Sequence, residues 1–254
     1  MVAAASKGIG RAVALALARE GCRVSMCARN PEALQNTRRE IAATAGDDNT
    51  AAVCADVSIA SDIERWFLET EKSLGAPDIL VTNTGGPPAR RFLELTDEQW
   101  QAGVDSTLMN VVRMVRLAAP GMMERGWGRI VHITSLVARQ GIDDLTISST
   151  LRSGISALTR LQSNQFAAHG VLVNAVLPGN TLTDRAVFLA ETRARAQGIT
   201  TQEALEQAGK QAPVGRLATP EEIAEPVAFL CSQRASYITG ISVLVDGGLC
   251  RGPY

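Results

Sequence analysis

Ala4-Ala5-Ser6-Lys7-Gly8-Ile9-Gly10 joins a short apolar opening, Met1–Ala4, to an Ala- and Leu-rich stretch, Arg11–Glu20. The opening reads as a strand and the stretch after the loop as a helix, with Gly21 as its stop. Gly8 and Gly10 let the backbone turn tightly and approach a pyrophosphate, which the N-terminus of the following helix attracts. Two glycines after a strand are a weak signal on their own. The rest of the chain decides what they mean.

Outward from this loop, short apolar runs alternate with longer helical ones. Arg23–Cys27, Ala51–Cys54, Ile79–Thr82, Arg129–Ile133, Val171–Val176 and Ser242–Val245 read as further strands, mostly apolar as strands buried on both faces are. Glu32–Ala45, Asp62–Leu74, Asp97–Arg125, Ser149–Ala168 and Glu221–Cys231 read as helices. Thr96 with Gln99 makes a capping box, and Thr219-Pro220-Glu221-Glu222 puts proline at a first helical position. Such alternation predicts a doubly wound parallel sheet with helices on both faces. The polar, Arg- and Gln-rich stretch Thr181–Pro213 follows the carboxyl end of a strand and is expected to form a substrate lid.

Composition narrows the class. Hydrophobic residues make up 46% of the 254 and aromatics only 4%, which suits an aliphatic sheet covered by helices. A formal charge of −1 gives no electrostatic case for nucleic acid or an anionic membrane. Ala12–Ala18 is too short an apolar run to span a bilayer, and Met1–Ser6 lacks the features of a signal peptide, so a cytoplasmic protein is expected. Five cysteines without a CxxC pair, and only two histidines, make a metal site unexpected.

Five further segments fall after strands: Asp56-Val57, Asn83-Thr84-Gly85-Gly86, Ile133-Thr134-Ser135, Pro178-Gly179 and Asp246-Gly247-Gly248. With the glycine loop and Val173-Asn174-Ala175-Val176-Leu177-Pro178-Gly179, they make the whole chain resemble the short-chain dehydrogenase/reductase family, in its beta-ketoacyl-carrier-protein reductase-like branch. The resemblance implies a single Rossmann domain over residues 1–254, a seven-stranded sheet of order 3-2-1-4-5-6-7, and a nicotinamide dinucleotide cofactor. It also implies a homo-tetramer or homo-dimer pairing the helices Asp97–Arg125 and Ser149–Ala168. By position, Ser6, Lys7 and Ile9 would hold phosphates, and Asp56 and Val57 the adenine. Asn83 and Gly85 would lie along the ribose, with Pro178, Gly179 and Thr183 at the nicotinamide carboxamide. NADP(H) is the expected form: Ala28 and Arg29 stand where an NAD enzyme usually places a carboxylate, and Lys7 lies in the loop beside them.

The family's catalytic Asn-Ser-Tyr-Lys set is largely replaced. Ser135 matches the serine, but the YxxxK register reads Ser148-Ser149-Thr150-Leu151-Arg152, and the asparagine position falls on Thr107 and not on Asn110. The i, i+4 spacing keeps Ser148 and Arg152 on one helix face. Tyr237 and Tyr254 are the only tyrosines and Lys7, Lys72 and Lys210 the only lysines, so the family's standard pair is absent. The first loop glycine is replaced by Ala4, whose methyl is expected to narrow the turn slightly. Alternation places His132 opposite Ser135, as a buried structural residue. Arg90, Arg91, Arg139, Asp143 and Asp144 are expected on the surface, while Arg113, Arg116 and Arg160 stay open between carrier binding, solvent and an interface.

The expected function is an NADP(H)-dependent oxidoreductase acting on a carbonyl/alcohol pair, an acyl or polyketide-type ketone among the candidates, free or carrier-bound. Ser135 and Ser148 would address the reacting oxygen, and Arg152 would fix the ribose and supply positive charge. Two alternatives use the same crevice: a non-redox isomerase, dehydratase or cyclase, and an inactive dinucleotide-binding regulator.

Overall fold

The computed structural model describes residues 1–251. Six strands, β1 (Val24–Ala28), β2 (Thr50–Cys54), β3 (Ile79–Thr82), β4 (Gly128–Ile133), β5 (Val171–Pro178) and β6 (Ser242–Val245), alternate with nine helices among the described residues. These are α1 (Gly8–Arg19), α2 (Pro31–Ala45), α3 (Ala60–Leu74), α4 (Asp97–Gly103), α5 (Asn110–Glu124), α6 (Thr146–Phe166), α7 (Asp184–Gln197), α8 (Thr201–Lys210) and α9 (Pro220–Cys231). The capping boxes at Thr96 and Thr219 form as expected.

Every strand pair is parallel, in two ladders, β2-β1 and β3-β4-β5-β6. The opening residues join them. Val81 N donates to Met1 O at 2.9 Å and Ala3 N to Val81 O at 3.0 Å. On the other side, Val2 N donates to Ser25 O at 2.9 Å and Ala5 N to Cys27 O at 3.0 Å. Only Val2 makes a formal bridge, to Met26 and Val81. The opening segment is therefore the lane between β1 and β3 of a seven-lane Rossmann sheet in the expected order.

Both faces of β1, β3, β4 and β5 are buried, which is why these strands read as continuous apolar runs. Val81, Val131 and Val176 pack with α1 and α9, and their neighbours Leu80, Ile130 and Val173 pack with Trp66 of α3, Met114 of α5 and Ile155 of α6. Parallel strands alternate their side chains between two cores, and a helix layer seals each. No described helix is long and apolar enough to cross a membrane.

Two regions place the site. The expected single helix Asp97–Arg125 is widened by a π turn over Val104–Met109, between α4 and α5. Just before it, a Cβ on Gly103 would stand 2.5 Å from Ile147 Cγ2, so only glycine lets this helix approach α6 so closely. Beyond β5, α7 and α8 pack on each other around Ala190, Ala194 and Ala204, in a small core separate from the main two.

Candidate active site

The glycine loop is shaped by what it must pack against. A Cβ on Gly10 would lie 2.3 Å from Ala4 O and 2.9 Å from Asn83 Nδ2, so the helix entry tolerates no side chain there. Asn83 Nδ2 donates to Ala4 O at 3.4 Å, tying the end of β3 to the loop. Ala4 has φ +49°, the only non-glycine in the left-handed region among the described residues. The backbone keeps a glycine-like conformation there, and the alanine carries the strain. At the N-terminus of α1, Lys7 offers no side-chain cap, and the first turn holds no acid. Its amide groups stay open toward an anion.

The two expected phosphate cations are engaged elsewhere. Lys7 Nζ lies 2.5 Å from Asp184 Oδ2, at the start of α7. Arg29 Nη1 lies 3.8 Å from Asp56 Oδ2, and both side chains of the first pair and Arg29 itself are largely exposed. Asp56 Oδ1 accepts from Ser58 N and Ser58 Oγ, and Val57 is buried beside it. Thr183 caps α7 by accepting from Ala186 N, with its methyl 3.3 Å from where a Gly8 Cβ would stand. Ser6 O accepts from Thr37 Oγ1 at 2.9 Å, and Ile9 is half-buried in the turn. Gly85 has open space above it, while Pro178 ends β5 and Gly179 N donates to Val245 O.

Where β4 ends, Ser135 Oγ accepts from Val137 N at 3.3 Å, which leaves its hydroxyl hydrogen free. Ser148 and Arg152, one turn apart on α6, are both buried. Arg152 Nε donates to Ser148 Oγ at 3.1 Å, and Nη1 donates to Thr134 O at 2.8 Å and Ile133 O at 3.4 Å. Ser148 Oγ therefore accepts from a cation and keeps its own hydrogen to donate. Burial, with the charge of Arg185, lowers the Arg152 pKa to about 10, so it stays protonated at neutral pH.

Thr107 sits in the π turn, fully buried, with Oγ1 unpartnered, and Asn110 Nδ2 is likewise buried and unpartnered. His132 is closed off from the crevice. Its Nε2 must donate to Gln162 Oε1 at 2.9 Å, so Nδ1 accepts from Thr82 Oγ1 at 2.8 Å. Burial pushes its pKa down to about 4. Tyr237 is fully exposed, and Tyr254 lies outside the described residues. Arg91 pairs with Asp144 at 3.1 Å across two loops, and Arg113 is held by Asp105 and Ser58 O at 2.9 Å each. Sequence reasoning missed Arg185, whose Nη2 donates to Pro87 O at 2.9 Å beside the crevice.

Comparisons match this geometry along its whole length. The family profile described as enoyl-(acyl carrier protein) reductase matches residues 3–250. The 3-oxoacyl-(acyl-carrier-protein) reductase FabG of Staphylococcus aureus is 31% identical, over 98% of this chain and 96% of its own. The short-chain reductase protein NovJ of Streptomyces niveus is 34% identical, over 98% and 92%. L-sorbose reductase from Gluconobacter frateurii, solved with NADPH and L-sorbose, superposes with a TM-score of 0.94 at 30% identity, covering 99% of this chain and 96% of that one. A variant of the actinorhodin polyketide ketoreductase with NADPH gives a TM-score of 0.93 at 33% identity, with coverage of 99% and 96%.

Proposed function

The chain belongs to the short-chain dehydrogenase/reductase family, and from that premise we propose that it is an NADP(H)-dependent oxidoreductase acting on a carbonyl/alcohol pair. One observation carries this most: the crevice keeps two hydroxyl donors, Ser135 and Ser148, beside a buried guanidinium at the carboxyl end of the sheet. Family relatives named as reductases, two of them solved with NADPH, give the chemistry its class.

The residues present fit the cofactor. Ser6, Lys7 and Ile9 would take its phosphates at the open N-terminus of α1, where no acid opposes negative charge. Asp56 and Val57 would border the adenine, Asn83 and Gly85 the ribose under the open space above Gly85, and Pro178, Gly179 and Thr183 the carboxamide. Arg29 and Lys7 would exchange their exposed carboxylate partners for the 2′-phosphate, since exposed pairs are worth little. When bound, NADPH supplies a hydride equivalent.

In reduction, electrons of the carbonyl double bond move onto oxygen as hydride adds to carbon. Ser135 and Ser148 would donate hydrogen bonds to that oxygen, and Arg152 would polarise Ser148 through Nε. Arg152 stays charged, so it stabilises the alkoxide electrostatically, and the proton comes from water through the Ser148 hydroxyl. The helical pair α7 and α8 would close the substrate side as a lid on a single domain. Exposed Leu117 on α5 and Leu161 on α6 support assembly into a homo-oligomer through those helices.

Calorimetric titration tests the cofactor assignment. NADPH is expected to bind at least tenfold tighter than NADH, with Arg29→Ala removing most of the difference, as charge-assisted bonds to a phosphate are worth about 1.5–3 kcal/mol. Equal affinities in the intact protein would defeat it.

A further inference from the structure

Arg152 and Arg185 form a pair of cations that no acid neutralises. Neither takes part in an ion pair among the described residues. Arg152 is buried, yet its bonds go only to the Ser148 hydroxyl and the carbonyls of Thr134 and Ile133. Its Nη2 makes no hydrogen bond among the described residues and is not sealed from solvent. Arg185, half-buried in the first turn of α7, gives Nη2 to Pro87 O at 2.9 Å and leaves Nε and Nη1 free. Its Nε stands 3.5 Å from where a Cβ on Gly86 would be.

The two guanidiniums are anchored beyond the carboxyl ends of adjacent strands, Arg152 at Thr134 O just past β4 and Arg185 at Pro87 O on the loop that follows β3. Burial lowers the Arg152 pKa, and the Arg185 charge acts in the same direction. Two like charges solvated by neutral carbonyls and one hydroxyl repel in a medium of low dielectric. Neutral ribose hydroxyls would not offset that repulsion; an anion would. A guanidinium's planar fork matches a carboxylate in particular. Phe188, with its ring centroid 5.8 Å from the Arg185 guanidinium carbon, supplies an apolar surface beside it.

We infer, on the oxidoreductase function proposed above, that the substrate is a small keto or hydroxy acid whose carboxylate is held between Arg152 and Arg185, next to the carbonyl that Ser135 and Ser148 address. The carboxylate takes the free Nη2 of Arg152 and the free edge of Arg185. Its carbon chain lies against Phe188.

The test is a titration of the intact protein loaded with NADP+, using lactate and 3-hydroxybutyrate against the methyl esters of the same acids, with inorganic phosphate as a third arm. At least one acid is expected to bind tenfold or more tightly than its ester. Arg185→Gln should abolish that preference and Arg185→Lys should keep part of it, with NADP+ affinity and thermal midpoint close to the parent's in both. Equal binding of acids and esters, no binding of either acid, or phosphate outcompeting both acids would overturn the inference. Absence of NADP(H) binding in the loading step is a separate result, and it defeats the cofactor assignment itself.

Discussion

At Ala4 the sequence shows which side chain replaces a glycine, and the structure shows the backbone strain that it carries. Glycine's absence from the first loop position is visible at once, but the backbone there still adopts φ +49°. Gly10 and Asn83 press on Ala4 O and leave the loop no freedom to relax. A left-handed L-residue costs roughly 1–2 kcal/mol, and glycine returns about 0.4–1 kcal/mol of that through the unfolded chain's entropy. Ala4→Gly should therefore stabilise the protein by about 0.5–1 kcal/mol, measured by urea unfolding; a loss of stability would show that the strain is absent. Ser135, Ser148 and Arg152 were legible because the family frame fixes their register. Arg185 was not: in the sequence it resembles its neighbours Arg193 and Arg195, and only the approach of α7 to Pro87 half-buries it.

At the level of elements, the strands and most helices were legible within a few residues, because buried parallel strands are apolar runs and the caps are local. The π turn at Val104–Met109 was not, since it depends on Gly103 meeting Ile147 of α6 and not on any local spacing. The Lys7–Asp184 pair joins residues far apart in sequence and escapes any local pattern for the same reason. His132 clamps three elements together, bonded to Thr82 of β3 and Gln162 of α6 from its place in β4. The folded protein keeps its ring neutral down to about pH 4, against an ordinary value of 6.5. The unfolded chain takes up that proton first, so stability is full above about pH 6.5 and falls as pH drops toward 4, by roughly 1.4 kcal/mol per unit. Urea titrations at a series of pH values should show this slope, and His132→Leu should flatten it while lowering stability overall. An unchanged slope in the variant would assign the loss to other groups.

Across the whole molecule, the sheet has seven parallel lanes, with Met1–Ala5 joining β1 to β3. That lane survives because hydrogen bonds reach it from both sides, and its apolar residues, Val2 among them, are buried in the cores. The frame that carries the glycine loop is thereby retained, and two of the departures, Ser148 and Arg152, lie one turn apart in α6. There a hydroxyl and a guanidinium stand where the family has a phenol and an ammonium, and on the function proposed above the polarised hydroxyl would pass the proton. Whether this crevice transfers hydride is decided most directly by following nicotinamide absorbance while NADPH is incubated with a panel of ketones and keto acids. Expected is NADPH oxidation matched mole for mole by alcohol formed, with Ser135→Ala slowing it about 10²–10³-fold and NADPH affinity retained. Conversion of a panel member with no change in nicotinamide absorbance, or turnover indifferent to Ser135→Ala, would contradict it.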